Sequence, residues 1–216
     1  MHLIEFYYKL ARFSDFLPIL PILMGLVKWK KLSLGLKCFM GFLLSDLLVN
    51  WVSYNIKFDN RFLSYFYSFF YCLSIISTYF FFFKDDKEKK IVLILLGICN
   101  VLVVVDFLFV DRVNENFFSG MLIDFVIISI SIYYFSRYFI QRKQYFIEAN
   151  LFISIVLIFQ FIIKLVEEFL DNFLTEMQNT GMLWIQMRNI YYFFMIIFLL
   201  IITFIYYKHK LYEQKK

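Results

Sequence analysis

The chain has 216 residues, of which 62% are hydrophobic, and its mean hydropathy is +0.71. Soluble domains run at about 45–50% apolar, so a water-exposed globule is excluded; the expected fold class is all-α, an integral membrane bundle of seven transmembrane helices. The net charge of +5 is assigned to membrane topology, with the lipid bilayer as partner and no nucleic acid.

The spans and their short loops consume the whole length, leaving no room for a soluble domain of even ~50 residues, so residues 1–216 are taken as one domain. With 31 Phe and 16 Tyr beside only Ala11 and Ala149, the composition suggests an AT-rich gene and a bacterial source. Cys38, Cys72 and Cys99 lie within apolar stretches and read as small core residues rather than disulfide or zinc partners. His2 and His209 stand at opposite ends, which excludes His-based metal sites and a Ser/His/Asp arrangement. No catalytic residue, metal or cofactor is expected.

Residues 1–12 place Leu3, Ile4, Tyr7, Leu10 and Ala11 on one side and Glu5, Lys9 and Arg12 on the other. That pattern fits either an interfacial amphipathic turn or the start of a long first helix. No small-residue cleavage site follows a basic head, so the first span is expected to be retained. It covers residues 13–27, where Pro18 and Pro21 remove two backbone donors and bend it, and Lys28, Lys30 and Lys31 stop it. Further spans are expected at 33–56, 61–83, 91–110, 117–140, 146–170 and 182–207. The run KDDKEKK and the tail KHKLYEQKK are expected to be solvated, with attraction to anionic lipid headgroups as a second role.

Fourteen Lys and Arg, among them Lys28, Lys84, Lys87, Arg137 and Lys208, fall on one side of these spans and five on the other. The richer side is expected to be cytoplasmic, which leaves the N-terminus outside and the C-terminus inside. Trp29, Trp51 and Trp184 lie near span ends, as an aromatic belt requires.

The sixth span, FIEANLFISIVLIFQFIIKLVEEFL, organises the rest. At ~100° per residue, Asn150, Ser154, Gln160, Lys164 and Glu168 fall within a sector of roughly 140°. A lysine at membrane depth costs about 2.5–3.5 kcal/mol unless paired or wet, so Lys164 is expected to face the protein interior. Asp46, Asp124 and Glu168 are the acids at compatible depth. The candidate ligand-binding residues are Asp46 and Asn50 on the second span, Tyr71 in a stripe with Ser64, Tyr67, Ser74 and Thr78 on the third, and Asp124 on the fifth. Gln160 and Lys164 on the sixth join Gln186, Arg188 and Asn189 on the seventh.

Two uses of these groups compete. They fasten helices to one another, or they line an outward-open cavity for a small polar or amphipathic ligand. The preferred function is a non-enzymatic receptor-like or ligand-binding membrane protein that signals through a membrane-protein partner. The alternatives are a small transporter, channel or accessory subunit of a membrane complex and, third, an intramembrane lipid-processing enzyme using Asp46 with Asp124.

Seven spans with the N-terminus outside resemble the rhodopsin arrangement, but the final span, residues 182–207, has no lysine for a Schiff base. The segment FLPILPILMGLVKWKKLS, followed by FLLSDLLVNWVSYNI and the aromatic YFYSFFY, resembles a group of small uncharacterised seven-helix proteins of bacterial inner membranes. That resemblance implies topology alone.

Overall fold

The computed structural model describes residues 2–55, 60–109, 117–141, 149–176 and 181–213. Among them run eight α-helices: α1 (His2–Phe16), α2 (Ile19–Val27), α3 (Leu34–Asn55), α4 (Asn60–Phe82), α5 (Asp86–Phe109), α6 (Phe117–Gln141), α7 (Ala149–Glu176) and α8 (Gly181–Glu213). Seven stretches are long and apolar enough to cross a membrane: Glu5–Val27, which joins α1 to α2, and one in each of α3 to α8. Helix is the form such runs must take, because hydrocarbon offers no partner for an unpaired backbone N–H or C=O.

The first crossing is broken where the prolines require it. Pro18 has no N–H to donate, so α1 ends at Phe16 and Leu17 closes the turn by donating to the Phe13 carbonyl at 3.1 Å. Pro18 then stands at the N-cap of α2, with φ −53°, and accepts from the Ile22 N–H at 3.2 Å. Helix α1 packs on α3 and α8 and buries Ala11 and Ser14. The N-terminal residues from His2 are therefore helical and packed on the bundle, and from Glu5 they belong to a stretch long and apolar enough to cross a membrane.

Three other helix ends run five or six residues past the expected spans, while residues 146–148, expected to open the sixth span, lie outside the described residues. Helix α5 begins at Asp86, within KDDKEKK, because Asp85 Oδ1 accepts the Lys87 N–H at 2.9 Å and Asp86 and Glu88 stand at the positive end of the helix dipole. Helix α7 continues to Glu176 and α8 to Glu213, through segments rich in ordinary helix formers.

In sequence order α3 packs on α4, α4 on α5, α5 on α6, α6 on α7 and α7 on α8, and α8 returns against α1 and α2. The core follows that ring: Leu36, Phe39, Ile75, Tyr79, Ile127, Tyr134, Ile153, Leu157, Ile202 and Tyr206 are buried. Large apolar side chains such as Ile94, Leu108, Phe125 and Phe159 stay exposed on the outside, as a lipid-facing surface requires. Trp29 and Trp51 are exposed near helix ends, and the Trp184 side chain lies outside the described residues.

Polar contacts fasten the ring where apolar packing alone would leave helices free to rotate. Tyr79 on α4 donates to Ser131 Oγ on α6 at 2.6 Å, and Tyr206 on α8 donates to the Leu36 carbonyl on α3 at 2.9 Å. Asp106 on α5 accepts the Ser119 N–H at 3.3 Å, so the first turn of α6 is capped by a neighbouring helix. Cys38, Cys72 and Cys99 are all free thiols, the last two buried.

Candidate functional site

Lys164 is carried by the polar sector of α7. Ser154 and Gln160 on the same sector are buried, Asn150 is half-buried, and the Glu168 side chain lies outside the described residues. The Lys164 ammonium lies 2.8 Å from Asp124 Oδ2 on α6, and the Asp124 side chain is 0% exposed while that of Lys164 is 24% exposed. The approach is that of an ion pair rather than a well-angled hydrogen bond. Tyr71 on α4 donates its hydroxyl to Asp124 Oδ1. One carboxylate thus ties α6 to both α4 and α7.

Aromatic faces surround the cation. Lys164 Nζ lies 5.2 Å from the centroid of Tyr71 and 5.9 Å from that of Phe161, within reach of a cation–π attraction. Those two rings are themselves 5.7 Å apart. The arrangement suits a partly buried lysine, since ring quadrupoles and one carboxylate replace part of the hydration it gives up.

Asp46 belongs to the same centre at one remove. Tyr67, one helical turn before Tyr71 and stacked on it at 5.5 Å, donates to Asp46 Oδ1 at 3.2 Å. The centre therefore spans α3, α4, α6 and α7, with Asp46, Tyr67, Tyr71, Asp124 and Lys164 as its polar members.

The other candidate residues have contacts of their own. Asn50 donates to the Asp15 carbonyl at 3.4 Å, beside Tyr54, which donates to Asp15 Oδ2 at 2.6 Å. These contacts, with Arg12 5.8 Å over the Tyr54 ring, join α1 to α3. Gln186 is exposed, while Arg188 and Asn189 are half-buried on α8 near the α1 contact, where Tyr7 and Tyr192 meet at 5.9 Å. Among the described residues no three of His, Cys, Asp and Glu converge as metal ligands would.

A second charged centre was not foreseen. Glu88, in the run taken as a solvated loop, is buried; Arg137 Nε lies 3.2 Å from its Oε1, and the Tyr133 hydroxyl donates to the same oxygen at 3.2 Å. The signal was present as a helical phase: once α5 starts at Asp86, Glu88, Val92, Cys99 and Val103 share the buried face.

No protein-family model matches the sequence, and neither curated proteins nor solved structures give a match.

Proposed function

We propose that the protein is a non-enzymatic, receptor-like membrane protein that binds a small amphipathic anion at Lys164 from the outer half of the bundle and signals through a membrane-protein partner. The observation that carries this reading is the unequal exposure of the pair. The carboxylate of Asp124 is fully enclosed, whereas the Lys164 side chain keeps 24% of its surface accessible. An incoming group would meet the Lys164 side chain before the enclosed acid. A carboxylate-bearing ligand with an apolar body suits a cation flanked by the rings of Tyr71 and Phe161. By competing with Asp124 for Lys164, it would loosen the tie between α6 and α7, a change confined to the helices that a partner could sense.

The orientation goes with this reading: N-terminus outside, C-terminus cytoplasmic and a bacterial inner-membrane setting, supported by the Lys and Arg imbalance between the two sides. The test is thermal unfolding of the detergent-purified chain against straight-chain carboxylates from acetate to decanoate. The wild type should be stabilised by at least one of them. The charge-balanced double variant Lys164→Met, Asp124→Leu should fold and show no such response. A response retained in the double variant, or none in the wild type, overturns the proposal.

A further inference from the structure

A cavity of about 270 Å³ opens between α5 and α6, with Phe83, the residue after α4, also lining it. Its walls are Ile91, Val92, Leu95 and Ile130, while Glu88 and Tyr133 stand at one end. From Glu88 to Leu95 it follows α5 for roughly 10 Å at ~1.5 Å per residue. Both walls belong to stretches apolar enough to cross a membrane, and in a bilayer the opening between them would meet hydrocarbon. A dry apolar groove left empty there would forfeit dispersion contacts along its whole lining.

The charged end is built differently from the rest. The acid facing the groove, Glu88, is already engaged by Arg137 at 3.2 Å and by the Tyr133 hydroxyl. Arg137 itself keeps 46% of its side chain exposed. Lys84, Lys87 and Lys90 are exposed along the adjoining turn, and Lys89 is half-buried beside Asp86. Five cations therefore stand against Asp85, Asp86 and Glu88 in the turns at this end of the two helices, an excess of positive charge at the end of the groove that carries Glu88.

We propose that the groove between α5 and α6 binds one acyl chain of an anionic phospholipid, with the lipid phosphate held at the groove mouth by Arg137 and the neighbouring lysines. The guanidinium suits a phosphate because its planar fork of donors matches two oxygens at once. Its pairing with Glu88 fixes it at the mouth of the groove. A wholly polar ligand would leave the apolar walls uncovered, and a plain hydrocarbon would make no use of the cationic end. The site shares no residue with the Lys164 centre, so the two proposals fail independently.

The experiment is native mass spectrometry of the delipidated full chain in non-ionic detergent, with phosphatidylglycerol or phosphatidylcholine of matched chains added back. Wild type should take up one phosphatidylglycerol per chain in clear preference to phosphatidylcholine. Ile130→Trp, which fills the groove, should weaken phosphatidylglycerol uptake about tenfold, and Arg137→Gln should erase the preference between the two lipids. Should Ile130→Trp fail to fold, Leu95→Trp blocks the same groove from α5. Equal uptake of both lipids by wild type overturns the proposal, as does undiminished uptake by the groove-filled variant. A dimer of the chain that disappears in that variant would place a second copy there, and overturns it too.

Discussion

Asp124 accepts from Tyr71 at one oxygen and lies 2.8 Å from the Lys164 ammonium at the other, with none of its side chain exposed. Removing the cation alone, by Lys164→Met, leaves a buried carboxylate without its counter-charge. The cost is typically about 3–5 kcal/mol for such a group, read as a lowered unfolding temperature in detergent. Asp124→Asn should cost less, since the stranded lysine is partly exposed and its long stem can turn the ammonium toward water. The double variant Lys164→Met, Asp124→Leu should recover most of the loss, because two matched apolar groups replace a buried pair nearly neutrally. Equal losses in the two single variants would refute the asymmetry. The sequence made Lys164 conspicuous, for a lone cation on a helix otherwise apolar must find an interior. Its partner was not legible, because Asp46, Asp124 and Glu168 stood at similar depth and only tertiary packing chooses among them.

Helix contacts depend on positions where no side chain fits. A Cβ on Gly35 of α3 would come 2.5 Å from the Phe82 ring and 3.1 Å from the backbone carbonyl of Thr78 on α4. The carbonyl cannot move aside as a flexible side chain would, so Gly35→Ala should destabilise the α3–α4 pair by about 1–3 kcal/mol. Gly97 of α5 meets nothing within 4 Å, and Gly97→Ala should be neutral or stabilising by up to ~1 kcal/mol. Thermal unfolding of both variants side by side checks the contrast. At the start of α6, Asp106→Ala removes the acceptor for the Ser119 N–H and should cost about 1 kcal/mol, with Asp106→Asn closer to wild type. Hydropathy made the helices themselves legible, yet it says little about where each one ends. A charged run can be solvated loop or first helical turn, and in KDDKEKK the deciding event is the acceptance of one backbone N–H by Asp85. That local event also carried Glu88 out of water and toward Arg137.

For the whole molecule, orientation is the statement with most consequences, since it sets which centre faces which compartment. A single cysteine introduced at Lys87, after the native Cys38, Cys72 and Cys99 are replaced by Ser or Ala, should react with an impermeant maleimide only in opened cells. Labelling in intact cells would invert every depth assignment, including the outward aspect of Lys164. The ring of helices was less legible than their number, because neighbours in sequence need not be neighbours in space. The return of α8 against α1 and α2 depends on contacts such as Tyr206 with the Leu36 carbonyl and Lys28 over the Tyr207 ring at 4.9 Å. Tyr206 gave no hint of this role in a helix rich in aromatics.

That closure has a temporal side. During synthesis α2 emerges long before α8, which starts at Gly181, and at ~5–20 residues per second the interval is on the order of 10–30 s. Throughout it, the broken first crossing must wait in the bilayer without the helix it later leans on, its Pro18 bend exposed to lipid or to the insertion machinery. Chains halted before α8 should therefore be degraded quickly, and supplying α8 as a separate polypeptide should rescue them.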